Sequence, residues 1–181
     1  HISLPSLRSL SLHNCSELES EVGFIEGEDG SLPSTLQELW IDEIARLMHW
    51  GLDKLPSLSV LRLQDNQDVE SFPGKILLPS SLTEIHINHL GNIKSLDYEG
   101  LQHLTCLQTL EIRNCPKLER IPEEGLPSTL SLLSINDCPL LEKRCEREGG
   151  EDWPKISHIP EILFDDEAMM YSVLQALREL S

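Results

Sequence analysis

Leucines and isoleucines fall in one recurring frame along the chain. The frame is L-x-x-[LI]-x-[LI], and it occurs at Leu7-Leu10-Leu12, Leu36-Leu39-Ile41, Leu58-Leu61-Leu63, Leu82-Ile85-Ile87, Leu107-Leu110-Ile112 and Leu130-Leu133-Ile135. Starts are separated by 29, 22, 24, 25 and 23 residues. Each [LI]-x-[LI] reads as a short strand whose alternate side chains point to opposite faces. Three residues after its last member comes a fixed inward position, held by Cys15, Ile44, Asn66, Leu90, Cys115 and Cys138. A further apolar residue follows three later: Leu18, Leu47, Val69, Ile93, Leu118, Leu141. In the middle repeats Trp50, Phe72, Leu96 and Ile121 extend the series, which assigns Trp50 to the core. Before five of the six frames stands Leu-Pro-Ser; the exception is "LTCL" at residues 104–107. Proline there fixes φ and disfavours helix just before it.

Self-similarity at 20–29 residues with this consensus is the leucine-rich-repeat signature. One coil cannot bury its own leucines, so coils stack and share a core. The fold class expected is α/β: a horseshoe-shaped solenoid with a short-stranded parallel sheet on its concave face and irregular or 3₁₀ returns on its convex face. Residues 1–144 form six repeats, interrupted by an acidic insert at 17–31 that holds six carboxylates and no lysine or arginine. The pattern lapses at Lys143 and Arg144. Residues 145–164, with Trp153, Ile156, Ile159 and Ile162 at every third position, read as a segment capping the last open coil. Residues 165–181 carry Met169 or Met170, Val173, Leu174, Leu177 and Leu180 at helical spacing, with Asp165 or Asp166 as N-cap. This amphipathic tail packs on the cap or serves as an arm for another domain.

Composition narrows the function. Aromatics are 4% of the 181 residues, so the core is built from leucine and isoleucine. The net charge of -17 repels phosphate backbones, which argues against nucleic acid as a partner. No apolar run reaches the roughly 20 residues that span a bilayer, so no membrane is expected either. The start at His1 reads as a cut from a longer polypeptide, and the lack of a targeting signal then carries little weight.

Five cysteines without a C-x-x-C pair fit neither a zinc site nor a disulfide framework, and suit a reducing compartment. Cys115 and Cys138 occupy the same place in adjacent coils, at a strand spacing of ~4.8 Å. Distance alone does not exclude a bridge, but the Cβ geometry a disulfide requires and the compartment argue for buried, reduced thiols. Cys15 lies about 20 Å from them, four strand spacings away. The seven histidines have no H-E-x-x-H spacing, and neither G-x-S-x-G nor G-x-x-x-x-G-K-[ST] occurs. No catalysis, metal or cofactor is expected. The Asn14-Cys15-Ser16 sequon falls on a repeat turn and reads as an accidental match.

Binding is the remaining possibility, and the strand residues between the leucines are its candidates. The expected partner-binding set is Glu38, Trp40 and Asp42, then Arg62 and Gln64, then Glu84, His86 and Asn88, then Glu111 and Arg113. Trp40 and Arg62 are expected side by side on neighbouring strands. Both types are enriched in binding hot spots. Stacked on each other, they would instead form a cation–π pair that needs no partner, the lesser of the two readings because a solenoid's concave sheet is its usual contact surface.

The run at 126–162, "LPSTLSLLSINDCPLLEKRCEREGGEDWPKISHIPEI", resembles the end of the repeat domain in plant intracellular disease-resistance receptors of the nucleotide-binding leucine-rich-repeat, coiled-coil class. The matching residues are Gly125-Leu126-Pro127, Cys138-Pro139-Leu140-Leu141, Arg144-Cys145, Trp153-Pro154-Lys155-Ile156 and His158-Ile159-Pro160. At repeat level the likeness covers residues 1–162, and the tail after Phe164 lies outside it. The resemblance implies a cytoplasmic, non-enzymatic recognition region that senses a pathogen effector or a guarded host protein. It also implies a contact that holds the receptor's own nucleotide-binding module inactive. That module and its phosphate loop are absent from this chain, so it is expected to bind no nucleotide. Two other repeat classes compete: the substrate-binding domain of an F-box ubiquitin-ligase adaptor, and an extracellular receptor fragment. The latter's L-x-G-x-I-P signature is missing, since Ile121-Pro122 follows Glu119-Arg120 with no glycine.

Overall fold

A computed structural model describes residues 6–13 and 32–164. Cys15, the acidic insert at 17–31 and the amphipathic tail at 165–181 lie outside the described residues.

Each frame forms one strand: β1 (Ser9–Leu12), β2 (Glu38–Ile41), β3 (Val60–Gln64), then β5 (Glu84–Asn88), β7 (Thr109–Arg113) and β8 (Leu132–Asn136). Between them, β4 (Ser71–Phe72) and β6 (Ser95–Leu96) make a second, two-stranded parallel sheet on the returns. The main sheet runs β1-β2-β3-β5-β7-β8-β9, all parallel, where β9 is Glu161–Phe164. Frame residues pair with frame residues throughout, as in Leu39↔Leu61 and Ile87↔Ile112. From the second frame on their side chains are buried to 2% or less, those of β1 somewhat less deeply, and they form one continuous core with Leu47, Trp50, Ile93, Leu118 and Leu141.

Three devices hold successive coils in step. At the head of β1, β2, β3, β5 and β7 one carbonyl accepts two N–H groups from the next coil. Gln37 O, for example, takes the N–H of Ser59 at 2.8 Å and of Val60 at 3.0 Å. The hydroxyls of the Leu-Pro-Ser steps reach back to the preceding coil: Thr35 Oγ1 donates to Leu7 O at 2.8 Å and Ser81 Oγ to Leu58 O at 2.7 Å. The step thus ties coils together as well as discouraging helix. At the inward position Asn66 Nδ2 donates to Asp42 O at 3.0 Å, while Asn66 Oδ1 accepts from the Asp68 N–H at 2.9 Å.

The returns are short. Two 3₁₀ turns, Ile44–Met48 and Leu52–Lys54, serve the second coil, and α1 (Tyr98–Leu101) the fourth. After β8 comes α2 (Pro139–Arg144), with proline at its start where the missing N–H costs nothing. The chain then makes one further turn through α3 (Trp153–Ile156) and adds β9 beside β8. Ile156, Ile159 and Ile162 are buried by that turn. Residues 145–164 thus add a seventh strand beside the sixth coil.

That last turn is fastened by Asp152, whose side chain is fully buried. Its carboxylate accepts from Arg144 Nε and Nη2 at 3.0 and 3.1 Å, and from the Ile121 N–H at 3.0 Å. Lys155 Nζ lies 3.0 Å away. Burial by itself raises the carboxyl's pKa, but the bonds from Arg144, Lys155 and the Ile121 N–H outweigh it and hold Asp152 below the usual carboxylate range.

Candidate functional site: the outward face of the sheet

Because strand side chains alternate, burying the frame residues turns the intervening ones to the opposite face. Register then sorts them into rows. The middle row is Ser11, Trp40, Arg62, His86, Glu111 and Ser134. One flanking row is Ser9, Glu38, Val60, Glu84, Thr109 and Leu132. The other holds Gln64, Asn88, Arg113 and Asn136. Nine of the ten expected residues thus share one face on strands; Asp42, one position past β2, is half-buried and already partnered.

Polar groups on this face are largely bonded to one another. His86 sits between two carboxylates, with Nδ1 3.0 Å from Glu111 Oε2 and Nε2 3.1 Å from Glu84 Oε2. Arg113 Nη2 lies 3.3 Å from the other oxygen of Glu111. The hydrogen bond with His86 is the main cause of a lowered Glu111 pKa; partial burial opposes it, and the charges of His86, Arg113 and Arg62 add to it. Glu38 accepts from Ser9 Oγ at 3.4 Å.

Trp40 is 41% exposed and faces Arg62 across the β2–β3 pair. The two do not stack. Trp40 instead meets the His13 ring edge-on, centroids 4.9 Å apart, and the cation–π contact among the described residues is Arg147 over Trp153 at 5.9 Å. The reading in which Trp40 and Arg62 satisfy each other is therefore overturned. His13, outside the expected set, proves central. Its Nε2 lies 2.7 Å from Ser11 Oγ, and its Nδ1 lies 3.2 Å from Gln64 Nε2, two strands away. Sequence alone places His13 in the correct row, but nothing in it signals a reach across β2. At the other end Ser134 and Asn136 are buried, so the polar face closes at β8.

The cysteines are structural. Cys115 and Cys138 are fully buried free thiols. The Cys115 N–H donates to Cys138 Sγ at 3.4 Å, and Cys138 Sγ lies 3.2 Å from Asn136 O. The side-chain interaction between the two thiols and then burial push the Cys138 thiol up, against the opposing pull of the Cys115 N–H, away from reactive thiolate. Burial pushes Cys145 up to about 12. Among the described residues there is no group of three or more His, Cys, Asp or Glu side chains arranged to hold a metal, and no helix long and apolar enough to cross a membrane.

No family model matches the chain. Individual relatives do. It is 35% identical, over 185 aligned residues and 90% of its length, to the disease resistance protein At3g14460 of Arabidopsis thaliana. It is 29% identical over 90% of its length to the Arabidopsis disease resistance protein RF45, and 43% identical over 53 residues to the disease resistance protein RGA4 of Solanum bulbocastanum. The chain spans only 13% of the first relative and 15% of the second. One strand per leucine frame in a parallel sheet, joined to this similarity along nearly the whole chain, identifies it as a leucine-rich-repeat region of the plant disease-resistance family of nucleotide-binding leucine-rich-repeat proteins.

Proposed function

We propose that this region is the recognition element of a cytoplasmic plant immune receptor, that it acts in defence, and that it performs no catalysis. The outward face of the sheet contacts a pathogen effector, or a host protein the effector alters. In the resting receptor the same face restrains the nucleotide-binding module. We take the stack to be a horseshoe with this face concave, since strands ~4.8 Å apart stand opposite bulkier returns. The observation that carries the reading is the middle row, where the exposed Trp40 stands beside Arg62 in a chain homologous to disease resistance proteins.

The mechanism is a competition. A partner that binds the face more tightly than the resting contact does shifts the receptor toward its active state by that difference in affinity. The test replaces Trp40 and Arg62 together with alanine in a receptor carrying this region. Both are surface positions, so circular dichroism and the melting temperature of the isolated region should stay near wild type. In leaf tissue, effector-triggered signalling should fall, or basal signalling should rise. Unchanged signalling in both assays would sink the reading. Co-purification of this region with the receptor's N-terminal portions tests the restraining contact separately.

A further inference from the structure

The reading of this face as a recognition surface leaves open what it recognises, and subtracting the internal pairs narrows that. Glu84 and Glu111 share His86, Glu111 also takes Arg113, and Glu38 takes Ser9. Arg62 is different. Among the described residues its guanidinium has no hydrogen bond and no ion pair, and Glu111 feels it only as a more distant charge. Trp40, directly opposite, spends its ring on an edge contact with His13 and offers its face to no cation. Two groups of high binding value are thus adjacent, Arg62 without a partner among the described residues and Trp40 still 41% exposed.

Their chemistry selects the occupant. A guanidinium presents donors in a planar fork that a carboxylate matches with two parallel hydrogen bonds. A lysine or arginine brought to Arg62 meets like charge, and a purely apolar residue would strip its water without replacing it. Trp40 offers an apolar surface within one strand spacing, ~4.8 Å. We propose that the partner is a protein segment that presents an aspartate or glutamate side chain to Arg62 and lays a neighbouring apolar side chain on Trp40. Residues two apart in a strand, or three or four apart on a helix, supply that pair on one side. The chain's net charge of -17 steers away strongly acidic partners, so the carboxylate is carried on an otherwise neutral or basic segment.

The test is selection of a random-peptide display library on the purified region, repeated on the Arg62→Gln, Trp40→Ala and Glu84→Lys variants, each first checked for native circular dichroism. Wild type should enrich peptides with an acidic residue beside an apolar one. Synthetic copies of these should bind R62Q about ten- to a hundredfold more weakly, as for loss of a charge-assisted pair. Failure to enrich that motif, or equal binding by R62Q, overturns the proposal. If the enriched peptides still lose binding on E84K, the face remains a recognition surface and only the partner chemistry is wrong. If none of the three variants affects them, the recognition reading falls as well.

Discussion

Asn114 and Asp137 stand just before Cys115 and Cys138, and Asp65 and His89 hold the same place in two earlier coils. All four adopt the left-handed backbone, with φ of 52 or 53°. Only glycine enters that region freely, but Asn, Asp and His enter it far more readily than branched residues do. The conformation turns the chain off the strand while its N–H stays in the sheet, as when the Asn114 N–H donates to Asn136 O at 3.0 Å. Asn114→Val should therefore lower stability by about 1–2 kcal/mol, and Asn114→Gly should be near neutral, by chemical denaturation. A second outcome concerns the thiols. Of the four described cysteines Cys106 is exposed, and Cys115, Cys138 and Cys145 are buried. Aside from Cys15, native protein should release one fast thiol to Ellman's reagent, and unfolding should release three more. A secreted, disulfide-bonded relative would leave fewer free.

Among the elements, the turn that leads into β9 is tied down by a single side chain. Asp152 gathers Arg144, Lys155 and the Ile121 N–H, which brings α2, α3 and the fifth coil's return to one carboxylate. Asp152→Asn keeps the shape but removes the charge that two cations share. Since Arg144 and Lys155 retain some access to water, the cost should sit at the low end for a broken buried pair, about 3 kcal/mol. The pH dependence has a definite sign. The folded carboxyl titrates below its unfolded value, so the folded chain binds fewer protons. Its contribution is complete above the ordinary aspartate pKa of about 3.9 and is lost as pH falls through the lower, folded value. Urea melts between pH 6 and pH 3 should show a shallower acid loss in D152N than in wild type.

At the scale of the whole molecule the coils form a chain of nearest neighbours, and stability passes through the interfaces between them. Truncation after Arg144 removes α3, β9 and Asp152 together, and uncovers Leu133, Ile135 and Leu141. Such a truncation should lower the melting temperature and expand the hydrodynamic radius. It should also abolish hydrogen-exchange protection at the Ile121 amide, while β2 and β3 stay protected. Truncation after Phe164 should keep that protection.

The leucine frame was enough to place every strand from β1 to β8 of the main sheet, their inward residues and the row order of the outward face. Period and alternation are local properties, and repetition left a single way to bury the leucines. The relation between Trp40 and Arg62 was not legible, because side-chain direction depends on His13 and Gln64, which come from other coils. Nor was β9. Its sequence shows only a three-residue spacing of isoleucines, and it becomes a strand because β8 offers an open edge that Asp152 holds it against. Sequence by itself thus determined what is buried and which face is outward. Tertiary structure decided which charges on that face are already answered, because pairing across strands depends on distances that no single coil contains.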